Sequence, residues 1–161
     1  MPEYDFKSDP RLVLDLARER LQHQLSFADS LDSKIATLFA AGSALVGLLA
    51  AVFALKGDGL DRGSITVLCV ALLAYVVLTG VAAGATWPQR WRLGPSVDWA
   101  WKRSQEASED EFLPELISGY MDYWRHNQAG NSVKALALRV AFVAIVAETI
   151  CLEIAVAVVS G

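Results

Sequence analysis

Two cysteines and two histidines in 161 residues leave little from which to build a metal centre or a nucleophile–base pair. Cys69 and Cys151 both stand inside long apolar runs, and no CxxC or HxxxH spacing occurs, so they read as small apolar side chains. His23 and His126 share no spacing that implies a metal or a catalytic role. No Ser/His/Asp set, glycine-rich phosphate loop or paired-carboxylate motif stands outside the apolar runs, so the chain is not expected to be an enzyme or to need a cofactor. Basic excess is also missing. A net charge of −4 provides no global field for nucleic acid, and any polyanion site must be a local patch. Internal repeats are absent, which argues against a secondary transporter. A cleavable signal is not expected either, because a polar, acid-containing stretch of 34 residues precedes the first apolar run.

What is present is long stretches free of charge. Ile35 to Leu55 runs for 21 residues without one charged side chain, and Ile65 to Thr86 is a second such run. Ala135 to Val159 is a third, broken only by Arg139, Glu148 and Glu153. At ~1.5 Å rise per residue each can cross a hydrocarbon core of ~30 Å. The expected fold class is all-α: a multi-pass membrane helical bundle with spans at 35–55, 65–86 and 135–159. A helix over 10–34 and a segment over 87–134 complete a single domain. Lysine and arginine set the orientation. Lys7, Arg11, Arg18, Arg20 and Lys34 precede span one, and Arg90, Arg92, Lys102, Arg103, Arg125 and Lys134 lie between spans two and three. Lys56 and Arg62, in the short loop, are offset by Asp58 and Asp61. Positive residues stay cytoplasmic, so the N-terminus and 87–134 are expected inside.

Asp9-Pro10 reads as a helix start. Leu14, Ala17, Leu21, Ala28, Leu31 and Ile35 then recur at three- and four-residue steps, a narrow apolar seam running unbroken into span one. Span one carries a second stripe, of small residues: Ala36, Ala40, Ala44, Gly47 and Ala51; span two ends in Gly80-x-x-x-Gly84. In lipid, close packing holds helices together, so these stripes are expected docking faces, either between copies of the chain or within one copy. Ser104 to Glu111 reads as a turn or short linker, and Pro114 as the first turn of a helix for which a run through Gly130 into span three is open.

Arg20-Leu21, followed by Ala28-Asp29-Ser30-Leu31-Asp32-Ser33-Lys34-Ile35-Ala36 leading into a small-residue span, resembles the SLATT and Pycsar-type transmembrane effectors. Those share a similar "DxKA" entry to their first helix; here Ile35 stands where Ala is commoner. Asn127 and Asn131, leading to Lys134-Ala135 and a last span with Arg and Glu, extend the likeness. Many members have two spans, where this chain has three. The resemblance implies a bacterial inner-membrane protein of antiphage defence that responds to nucleotide or oligonucleotide signals. It also implies a nucleotidyltransferase partner and damage to the membrane barrier. In size the chain is similar to the channel subunit of Hailong systems, implied to be an ion channel controlled by short DNA. A homotetramer is expected from the same resemblance.

Glu148 lies thirteen residues into span three, at ~20 Å depth, and Glu153 at ~27 Å. Ionisable groups in lipid usually face a cavity, a partner or a pore. Both are candidate pore-lining carboxylates; the alternatives are that Glu148 hydrogen-bonds Thr79 or Tyr75 and that Glu153 reaches the outer headgroups. Asp32, Lys34 and Arg139 are candidates for a gating ion pair, or for plain anchoring by snorkelling cations. Arg90, Trp91, Arg92, Lys102 and Arg103 combine guanidiniums for phosphates with indoles for base stacking, so they are candidates for a nucleotide or short single-stranded DNA regulator. Interfacial anchoring uses the same residue types. The expected function is a gated oligomeric channel that depolarises the cell. The competing expectation is a non-conducting membrane anchor or sensor that recruits a cytosolic enzyme.

Overall fold

A computed structural model of the chain describes residues 9–55, 61–87 and 91–160, the side chain of Ser160 excepted. These residues form four helices: α1 (Pro10–Leu55), α2 (Arg62–Thr86), α3 (Val97–Glu106) and α4 (Glu109–Ser160). The all-α expectation holds. Three of the helices are long and apolar enough to cross a membrane.

Each start has a local cause. Asp9 accepts from the backbone N–H of Arg11 at 3.0 Å, with Pro10 as the first helical residue. The Asp61 side chain accepts from the N–H of Ser64 at 2.8 Å to cap α2, and Ser96 accepts from Trp99 at 3.1 Å to cap α3. The expected linker shrinks to two residues, Ala107 and Ser108, with α3 reaching Glu106. α4 begins five residues before Pro114, not at it. The Ser108 carbonyl accepts from Glu111 and Phe112, and Glu109, Asp110 and Glu111 occupy the positive end of the helix. The helix then runs without a break through Gly130.

The chain divides into two compact units, residues 1–29 with 89–132 and residues 30–88 with 133–161, and α1 and α4 contribute to both. In the first unit Leu14, Leu21 and Ala28 of α1 are buried, as is Leu116 of α4. Polar side chains are buried among them. Gln24 donates to the Trp124 carbonyl at 3.0 Å, and Asn131 donates to the Gln24 carbonyl at 3.2 Å. The segment before α3 is tied to α4: Asn127 accepts from the Arg92 N–H at 3.1 Å and donates to the Arg92 carbonyl at 2.9 Å. Gly94, at φ 150°, lies against Tyr120, where a Cβ would come within 3.4 Å of the ring.

In the second unit Leu49, Phe53, Ala71, Cys151 and Ala155 form one core cluster, and Leu78, Ala141 and Ala144 another. Buried positions recur at seven: Ile35, Gly42 and Leu49 on α1; Ser64, Ala71, Leu78 and Ala85 on α2; Ala141, Glu148 and Ala155 on α4. A strict seven-residue spacing is the seam of left-handed knobs-into-holes packing. Small residues fill many of these positions, letting helices approach closely where lipid supplies no hydrophobic drive.

Candidate functional site

The seven-residue seam of α4 places one carboxylate in the core. Glu148 is 2 % exposed, and neither of its carboxylate oxygens has a hydrogen-bond partner among the described residues. Opposite it stands Gly42 of α1. A Cβ there would lie 2.9 Å from Glu148 Oε2, 2.3 Å from Leu78 Cδ2 and 3.1 Å from Ile145 Cδ1. The missing side chain at 42 is therefore the space that Glu148 and Leu78 occupy. Neither expected hydrogen-bonding partner reaches the carboxylate. The Tyr75 hydroxyl lies 3.2 Å from that of Ser43, and Thr79 donates to the Tyr75 carbonyl of its own helix at 2.9 Å. Glu153, five residues on, is exposed. The two carboxylates thus occupy different environments within one chain, one enclosed and one on the surface.

The expected ion pair of Asp32 takes a different partner. Asp32 Oδ2 accepts from Lys134 Nζ at 2.5 Å, with the lysine side chain 4 % exposed and the aspartate 36 %. Lys134 sits seven residues before Ala141 on the buried seam, whereas Arg139 is five residues from Lys134, ~140° around the helix. Rotation alone thus hands the contact to the lysine. Lys34 and Arg139 are both exposed and make no ion pair among the described residues. They share instead the lining of a groove of about 690 Å³ between α1 and α4 with Ser33, Thr37, Leu38, Leu138, Phe142 and Val143.

The small-residue stripes point away from the chain's own core. Ala36, Ala40, Ala44 and Gly47 are exposed, as are Gly80 and Gly84, and a Cβ added at Gly47, Gly80 or Gly84 would meet nothing within 4 Å. Packing among the described residues of one copy does not use them.

In the first unit the aromatic and basic candidates are scattered. Arg90 lies outside the described residues. Arg92 lies over the Tyr123 ring at 5.7 Å, and Arg103 makes a two-pronged pair with Glu115 at 2.8 and 2.7 Å. That pair raises the Arg103 pKa and holds the Glu115 carboxyl below the ordinary glutamate range, the hydrogen bond being the larger cause. The α4 partners of these two guanidiniums, Tyr123 and Glu115, are eight residues apart, ~12 Å along the helix. Trp99 packs near Phe112 at 6.4 Å, while Trp101 and Lys102 are exposed and Trp91 is half-buried. Among the described residues no group of three or more His, Cys, Asp or Glu is placed to hold a metal ion.

Gly42 and the Lys134 contact were not singled out from the sequence; the seven-residue spacing that leads to both was there to be counted. No family model, no curated protein and no solved structure matches this chain.

Proposed function

We propose that the chain is the subunit of an oligomeric ion channel of the bacterial inner membrane. Its N-terminus is cytoplasmic, and Glu148 is the group on which cation conduction depends. One observation supports this reading above the others. A fully buried, unpartnered carboxyl costs stability that an apolar residue of like size would not, so its presence in the core calls for a function beyond packing. In the arrangement described, the carboxylate is enclosed within one subunit against Gly42, and we take that arrangement as closed. Opening turns the Glu148 face of α4 toward an aqueous path shared between copies. Exposed small-residue stripes on α1 and α2 supply the surfaces on which copies meet, and a homotetramer is the proposed assembly. The likeness of the Asp32–Ala36 entry to antiphage effectors supports a role in defence by depolarisation.

Control is assigned to a polyanion on the first unit, a nucleotide or short single-stranded DNA made by a nucleotidyltransferase partner. It must bind the open and closed states differently, since equal affinity shifts nothing. The Arg92 and Arg103 guanidiniums, whose partners Tyr123 and Glu115 are eight residues and ~12 Å apart on α4, favour a strand of more than one nucleotide over a mononucleotide. Because Arg103 is already held by Glu115 and Arg92 by Tyr123, a second reading stands: the first unit is a scaffold and the chain a non-conducting anchor.

Reconstitution into planar bilayers separates the two. The channel reading expects a cation current that responds to short single-stranded DNA and is lost or loses selectivity in Glu148→Gln. No current with any such ligand, or an unchanged current in the variant, defeats it.

A further inference from the structure

The groove between the starts of spans one and three belongs to neither the Glu148 layer nor the aromatic segment. Its two walls are ordered alike. On α1 the lining runs from Ser33 and Lys34 to Thr37 and Leu38; on α4 it runs from Leu138 and Arg139 to Phe142 and Val143. The helices run parallel here, because Asp32 contacts Lys134 at one level while Gly42 faces Glu148 further along both helices. Both cations therefore lie toward one end of the groove. The apolar side chains continue for about one turn, ~6 Å, toward the middle of the spans.

Charge and polarity along this groove specify an amphipathic anion. Lys34 and Arg139 make no ion pair among the described residues, and Asp32, two residues before Lys34, contacts Lys134. No carboxylate lines the groove. The Ser33 and Thr37 side chains add hydroxyl oxygens at the charged end, the Thr37 hydroxyl donating to the Ser33 carbonyl at 2.9 Å. Below them Phe142 and Val143 are 60 and 67 % exposed, an apolar wall that needs hydrocarbon against it. A free phosphate would satisfy the cations but leave that wall bare. A zwitterionic lipid would cover the wall but set its own cation beside Lys34 and Arg139.

We propose that this groove is a stoichiometric binding site for an anionic phospholipid. The phosphate is held by Lys34 and Arg139, and one acyl chain lies along Leu38, Phe142 and Val143. A lipid seated there bridges α1 and α4 and fixes their spacing at the membrane surface.

Purified full-length protein in mild detergent, titrated with dioleoyl phosphatidylglycerol or dioleoyl phosphatidylcholine and read by native mass spectrometry, tests the site. One phosphatidylglycerol per chain is expected, bound at least about tenfold more tightly than phosphatidylcholine, since each basic residue near a headgroup contributes several-fold. Lys34→Gln with Arg139→Gln should abolish that preference. Lys34→Arg with Arg139→Lys should keep it, and so should Arg125→Gln in the other unit. Phe142→Ser with Val143→Ser should weaken lipid binding about as strongly as the charge variant.

Four results overturn the proposal. Equal retention of the two lipids would show that charge is not read. Unchanged retention in the double glutamine variant would place the lipid elsewhere. Displacement by glycerol 3-phosphate at matching concentration would make this a small-anion site. Lipid found on monomers but excluded from oligomers would give the groove to a second copy of the chain. None of these readouts involves conduction, so the lipid site and the channel reading fail separately.

Discussion

Replacing Glu148 by methionine should make the protein more stable and remove its activity. Glu148 is 2 % exposed and both oxygens lack a partner among the described residues. Even for the protonated acid, the cheaper form, an unsatisfied buried polar group costs about 1–3 kcal/mol. Methionine has a similar length and no branch, so it can follow the path of the glutamate into the space left by Gly42. Volume-conserving exchanges of this kind cost less than about 1.5 kcal/mol, leaving a net gain of about 1.5 kcal/mol or more where the polar penalty is at its upper value. Glu148→Gln retains a polar head without a partner and should change stability little. The assay is unfolding by SDS in mixed micelles, followed by circular dichroism, in parallel with bilayer recording. Stabilised and silent is the expected pattern for methionine, the trade of stability against activity found at functional sites. If Glu148→Met is destabilised by more than about 1 kcal/mol, the carboxyl is satisfied after all, and the reasoning behind the proposed function fails.

Gly42→Ala would put a Cβ 2.3 Å from Leu78 Cδ2, and overpacking of this kind should cost about 1–3 kcal/mol, with Leu78→Ala partly restoring stability in the double variant. In the Asp32–Lys134 pair, Asp32→Asn should cost more than Lys134→Met, by the same unfolding assay. The lysine is the enclosed partner, whereas the aspartate at 36 % exposure can rehydrate; breaking such pairs costs up to about 3–5 kcal/mol. Acid should weaken the attachment of α3 to α4. The Glu115 carboxyl is held below the ordinary glutamate range by the Arg103 hydrogen bond, so its contribution is full above that range and is lost as pH falls through the lowered value. Glu115→Gln should perturb tryptophan fluorescence from Trp99 at neutral pH, and its difference from wild type should vanish in acid.

Hydropathy and charge in the sequence were enough to establish the three long helices, through three charge-free or nearly charge-free runs and a capped start at Asp9-Pro10, but they do not mark α3, whose last turn reads as linker, and they leave the continuation through Gly130 open. They also place a carboxyl group within the third span. Which face of each helix turns inward was another matter. In lipid an exposed leucine and a buried one are equally comfortable, so hydropathy does not mark the inner face, and the small-residue stripe of span one suggested itself as a packing face. Packing three long helices against each other selected instead the positions that repeat every seven residues. That choice left Ala36, Ala40, Ala44 and Gly47 outside, brought Gly42 against Glu148, and gave Asp32 to Lys134. The reason is rotational. A helix advances ~100° per residue, so a group two or five positions off the seam faces elsewhere, and only the neighbouring helices determine where the seam lies.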